Sequence, residues 1–187
     1  MLNGVAMIKK IFAFLFLAVT INAQSPQIHH ELNVVIKPDF SFLDVTDEIT
    51  IDKSLVKEGL QFKLNSALTV EPSEMITKFD MQVDAEDIGM DLDDAGTKSD
   101  LKLNVYKIKL SPNASGDLKL ILKYNGKIES PIKQSKENYA RGFSESPGII
   151  WEAGVYLAGS TYWVPYFGDE LVSFNLTTTL PENWKTV

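Results

Sequence analysis

The sequence predicts an all-β fold, on three observations. Apolar residues alternate with polar ones through most of the chain after residue 27. Short clusters of turn-forming residues separate the alternating stretches. No segment holds a convincing helical stripe for ten residues.

The elements follow in order. Ile28, His30, Leu32, Val34 and Ile36 fall on one face at period two. Leu43, Val45, Ile49 and Ile51 then alternate with Asp44, Thr46, Glu48 and Thr50. Leu60, Phe62 and Leu64 alternate again, as do Leu101, Leu103 and Val105. Leu118, Leu120, Leu122 and Tyr124 form the next set, and Phe174, Leu176, Thr178 and Leu180 the last clear one. Alternation marks a strand with one buried face. Lys37-Pro38-Asp39, Ser111-Pro112-Asn113, Ala114-Ser115-Gly116-Asp117 and Asn125-Gly126 read as turns between strands. Short strands with turns at this spacing indicate a sandwich or a large folded sheet. One domain is the simplest reading, with neither an internal repeat nor a low-complexity linker.

Residues 1–23 read as a signal peptide. Lys9-Lys10 is followed by the apolar run Ile11 to Val19, and Ile21-Asn22-Ala23 offers a cleavage site. The run is shorter than the roughly 20 residues that span a bilayer, so no membrane span is expected after cleavage. Export follows: a periplasmic, outer-membrane-associated or extracellular protein. Residues 24–187 form the domain.

Composition excludes several functions. The formal net charge is −7, and an acidic surface repels phosphate backbones, so nucleic acid is not an expected partner. The chain has no cysteine, which removes disulfides, thiolate catalysis and Cys-based zinc sites. It has 2 histidines. His29 and His30 are neighbours on a strand and point to opposite faces, a poor start for a shared metal. No His-Glu-x-x-His occurs, so no metal ligand and no catalytic residue is assigned. Asp91-Leu-Asp93-Asp94-Ala95-Gly96 resembles a calcium loop, but Ala95 and Lys102 stand where a ligand and the closing Glu belong. A solvated acidic hairpin tip is expected there, since residues 71 to 100 carry ten acids and two lysines.

Residues 139 to 170 are crowded with aromatics and glycines. Glu152 stands between Gly148-Ile149-Ile150-Trp151 and Ala153-Gly154-Val155-Tyr156. It reads either as a carboxylate at a cleft awaiting a cation, or as an exposed strand residue or one ion-paired with Arg141 or a lysine. Trp163, Tyr166 and Phe167 around Pro165 read as core or interface packing, with a sugar-stacking platform as the alternative.

The order of these pieces resembles the N-terminal domain of the gluzincin, aminopeptidase N-like zinc metallopeptidases. His30 to Asp39 followed by Phe42 to Ile51 is similar to that domain's opening hairpin. Gly59 to Leu64, Leu68 to Val70 and Leu118 to Ile128, with its Tyr-x-Gly ending, look like later strands. Gly154 to Gly159, Tyr162 to Phe167 and Phe174 to Trp184 resemble its end, in a divergent bacterial branch. Pro165, Phe167 and Asp169 match parts of a longer family motif whose Arg and final Pro are absent. The resemblance implies a saddle-shaped antiparallel β-sandwich packed on a catalytic domain that lies outside this chain. Zinc is expected in that domain, and no cofactor in this one. The partners implied are the intramolecular catalytic domain and the N-terminus of a peptide substrate. Trp151-Glu152-Ala153 stands where the family carries a carboxylate or amide that holds a substrate's free α-amine, so Glu152 is the implied substrate-binding residue. The chain's last residues, Trp184 to Val187, read as mid-strand, so a longer parent protein is expected. The rival readings are a free-standing exported binding module, for glycans or protein, and an adhesive sandwich without a ligand.

Overall fold

The structure is a computed structural model, and it describes residues 25–85, 101–111, 116–130, 148–182 and 184–185. The signal peptide over 1–23, the acidic segment Asp91 to Gly96, the Pro112-Asn113 turn, and Tyr139, Arg141 and Phe143 lie outside the described residues.

The described residues form an all-β chain of ten strands and two 3₁₀ turns. Strands β1 (Ile28–Lys37) and β2 (Phe42–Ile51) make a hairpin closed by the 3₁₀ turn Pro38–Phe40. Pro38 fixes φ and supplies no donor, and Ser41 takes the left-handed conformation with φ 53°. The chain continues through β3 (Gln61–Asn65), β4 (Leu68–Val70), β5 (Ile76–Asp84), β6 (Lys102–Ile108) and β7 (Leu118–Lys127). It ends with β8 (Gly148–Trp151), β9 (Gly154–Leu157), the 3₁₀ turn Gly159–Thr161 and β10 (Val172–Thr179).

Five strands form one sheet in the order β10-β1-β2-β7-β4, and three form a second in the order β3-β6-β5. β8 and β9 pair as a separate hairpin. β10 runs parallel to β1, while the other pairs are antiparallel. The main core lies where the large sheet meets the small one. Ile28, Leu32, Val45, Ile49, Leu120 and Tyr124 come from one side, and Phe62, Leu64, Tyr106 and Ile108 from the other. Phe62 stacks on Tyr106 with ring centroids 5.0 Å apart.

Three expectations are corrected here. Asn125-Gly126 is not a turn but part of β7. A Cβ on Gly126 would lie 2.2 Å from the carbonyl oxygen of Ala67, so this glycine admits the backbone leading into β4. Of the expected set Leu101, Leu103 and Val105, the last two are buried in β6 and Leu101 is half-buried just before it, yet the main core takes the strand's other face, through Tyr106 and Ile108. Leu103 belongs instead to a smaller cluster with Ala85 and Tyr162, so this central strand is covered on both sides. β10 keeps its alternation but not its burial: Phe174 and Leu176 are 63% and 49% exposed.

Candidate functional site

The segment after residue 147 starts with the β8–β9 hairpin. Ile150 on its inner face is fully buried, and Val155 and Leu157 pack against the main core. The amide of Ile150 donates to the carbonyl of Ile128 at 2.9 Å, which ties the hairpin to the end of β7. Pairing of Ile149 with Tyr156 and of Trp151 with Gly154 puts both rings on the outer face. They are 36% and 54% exposed. The Trp151 indole lies over Gly154: a Cβ there would meet it at 3.8 Å, an ordinary van der Waals contact.

Glu152 and Ala153 form the two-residue turn of this hairpin. The Glu152 side chain is exposed, and among the described residues no cation stands within ion-pair distance of it. Arg141 lies outside the described residues. An exposed carboxylate attracts an ammonium by only ~1 kcal/mol at 4 Å in water, and by several times that where the dielectric is lower. A strong amine site at Glu152 therefore requires a second surface that closes over the hairpin.

Trp163, Tyr166 and Phe167 are partly buried and do not form an open row. Phe167 packs 5.6 Å from Phe62 and 6.2 Å from His30, ring to ring. Tyr166 meets Tyr162 edge to face at 5.6 Å. Its backbone pairs with Lys63 in both directions at 2.9 Å, so the segment covers the edge of β3. The Tyr166 hydroxyl donates to Asp169 at 2.9 Å. Burial, followed by that hydrogen bond and the Asp169 charge, pushes the phenol up to about 12. Asn65 anchors the same segment: its buried Nδ2 donates to the Thr161 carbonyl at 2.9 Å. Tyr162 adopts a left-handed φ of 51°, a conformation a non-glycine residue keeps only when its surroundings hold it.

The two histidines diverge as the strand period requires. His29 faces outward, where Nδ1 meets Ser173 Oγ at 2.8 Å and Nε2 meets Glu31 at 2.9 Å. Asn175 Nδ2 also donates to Glu31, at 2.7 Å. These hydrogen bonds, that of His29 first, hold the Glu31 carboxyl below its ordinary range. His30 faces inward and is 2% exposed. Its Nδ1 lies 2.8 Å from Oδ2 of Asp47, which is itself fully buried.

Asp47 is the residue that sequence reasoning missed. The apolar series on β2 runs 43, 45, 49, 51, and the gap falls on an acid at the position period two sends inward. Asp47 pairs across β2 with Leu32 and Leu122, so His30 and Tyr124 are its diagonal neighbours on the same face. Among the described residues, His30 Nε2, Asp47 Oδ1 and the Tyr124 hydroxyl have no hydrogen-bond partner. Desolvation raises the Asp47 carboxyl above its ordinary value, opposed by the hydrogen bond to His30. Burial also raises the Tyr124 phenol well above its ordinary value, helped by the Asp47 charge.

Among the described residues no group of three or more His, Asp and Glu side chains converges as metal ligands would. No helix among them is long and apolar enough to cross a membrane. These features define an all-β class of protein with an exposed hairpin carboxylate and an open apolar edge. Comparison of the chain with protein-family models, with curated proteins and with solved structures returned no match.

Proposed function

We propose that this chain is the non-catalytic, saddle-shaped β-sandwich domain that precedes the catalytic domain of an exported zinc aminopeptidase-like metallopeptidase. In this reading residues 1–23 are a cleaved signal peptide. The observation that carries it is the uncovered apolar face of β10. Val172, Phe174 and Leu176 lie on the same face as the buried Ile28, His30 and Leu32 of β1, yet are 53%, 63% and 49% exposed. A contiguous apolar stripe along an uncharged edge strand is a surface made to be covered. A catalytic domain packing there would cover the stripe, and to enclose Glu152 it would also have to reach the β8–β9 hairpin, which is tied to the end of β7. Glu152 would then hold the free amine of a peptide in a drier site, where charge pairing is stronger. Zinc would be held by that other domain, and when bound would polarise the scissile carbonyl and activate water.

The test has two parts. Residues 24–187 alone are expected not to cleave aminoacyl-arylamides with zinc; chelator-sensitive activity would sink the proposal. In the complete protein, Glu152→Ala is expected to weaken binding of peptides with a free amine and leave amine-blocked ligands unaffected. Unchanged kinetics would remove the role.

A second reading rests on Trp151 and Tyr156, two exposed rings on one hairpin face. Such a pair suits stacking against sugar rings. Quenching of tryptophan fluorescence by oligosaccharides, lost in Trp151→Ala, would favour a glycan-binding module instead.

A further inference from the structure

A buried acid beside a buried imidazole poses a question of charge that the docking surface does not touch. His30 and Asp47 are 2% and 0% exposed and 2.8 Å apart. Phe167 packs on His30 and is itself backed by Phe62 of β3, while Ile49 stands opposite His30 and Leu122 opposite Asp47. Of the ionisable groups, Tyr124 on β7 shares the inward face, and His29 lies on the outer face of β1 within electrostatic reach of Asp47. Neither tyrosine nor an outward histidine neutralises a charge left on the pair. An uncompensated charge in such a place costs far more than a shared proton.

We propose that His30 and Asp47 hold one proton between them in the folded core, so that the pair is a pH-sensitive lock on β1. With one proton the pair is net neutral, whether written as imidazolium and carboxylate or as imidazole and carboxylic acid. A second proton leaves a buried cation; removal of the first leaves a buried anion. Either loading favours release of β1, whose outer neighbour β10 is the exposed edge of the sheet.

The sign of the pH dependence follows from proton counts. Ordinary values are about 3.9 for Asp and 6.5 for His. Between them the unfolded chain carries one proton on these two groups, as the folded chain does, and stability is flat. Above about 6.5 the unfolded chain carries none, so stability falls as pH rises, by up to about tenfold in the folding constant per unit. Below about 3.9 the unfolded chain carries two, and stability falls on acidification with the same limiting slope.

The experiment is urea unfolding of the chain from pH 3 to 9, in a His29→Gln background that removes the other imidazole. With no cysteine and 2 histidines in the sequence, few other groups titrate between pH 6.5 and 9. The expected result is a plateau near pH 4 to 6.5 with a decline on its alkaline side. In Asp47→Asn the amide oxygen still accepts from Nδ1, but the imidazole is held neutral. The alkaline decline should then vanish, and the acid arm should move up to begin near the ordinary His value. A His29→Gln profile that is flat above pH 6.5 and falls just below it would mean that the folded pair carries no proton, which overturns the proposal. That profile decides the matter even if Asp47→Asn fails to fold.

Discussion

Replacing the buried pair by apolar side chains tests whether it stabilises the fold or merely survives in it. His30→Leu leaves Asp47 in the core without the hydrogen bond to its Oδ2, and its Oδ1 has no partner among the described residues. Orphaning one member of a buried pair costs about 3–5 kcal/mol. Asp47→Val leaves a neutral imidazole with its Nδ1 unpaired, which costs about 1–3 kcal/mol. Val suits the position, between Val45 and Ile49 on the inward face of β2. The double replacement removes both charges and both unsatisfied atoms of the pair, and such exchanges run from neutral to about 1–4 kcal/mol stabilising. Independent sites would instead add to a loss of roughly 4–8 kcal/mol, the sum of the two single costs. The assay is urea denaturation near pH 7, with midpoints compared at constant m. Thermal melts give a second reading, since 1 kcal/mol corresponds to roughly 2–4 °C in a domain of this size. A double variant as unstable as the sum of the singles would rule out the coupling, because it would mean the two side chains act separately.

Other replacements probe packing and the open edge. Phe62→Ala, at a fully buried ring packed on Tyr106 and Phe167, should cost about 3–5 kcal/mol by denaturation. Gly126→Ala forces a methyl to 2.2 Å from the backbone oxygen of Ala67 and should cost about 1–3 kcal/mol or more, with hydrogen exchange speeding up first in β4. Phe174→Ser combined with Leu176→Thr should cost the isolated chain no more than about 2 kcal/mol, because about half or more of each residue is already in solvent. The same pair should cut binding of a hydrophobic dye, and undiminished dye binding would argue against the exposed stripe. In an ultraviolet titration Tyr166 should ionise near 12, and Asp169→Asn should bring it down. Because its proton is held more tightly in the folded state, its contribution to stability is present below the ordinary phenol value of about 10 and lost as pH rises through the raised one.

The large sheet was legible because its strands are two-faced. β1, β2 and β7 each bury one residue in two, so period two names the inward residues directly. The reading broke down where burial has no such asymmetry. β6 is covered on both sides, and its alternating leucines drew attention to the face away from the main core. β10 alternates but is not covered, since alternation records which side chains share a face and not whether anything lies on that face. Asn125-Gly126 misled for a related reason. The glycine answers to a backbone that passes against it from Ala67, and a contact across the fold leaves no local signature.

The polar groups invert the usual order of inference. Glu152 drew attention in the sequence through its apolar neighbours, yet they do not bury it: it is exposed on a two-residue turn, with Ile150 turned to the core and Trp151 and Tyr156 on the outer face. Asp47 sits unremarked in a run of ordinary strand residues and is fully buried. The signal for it was a break in a pattern: a strand whose inward positions are apolar at 43, 45, 49 and 51 and acidic at 47 has placed a charge in its core. Such a position survives only with a partner, and the inward series of β1 contains one ionisable residue, His30. The register of the first hairpin then makes the two diagonal neighbours. The pairing was therefore derivable once the hairpin closes at Pro38–Phe40, and what the sequence lacked was the reason to look at an interruption rather than at the motif around it.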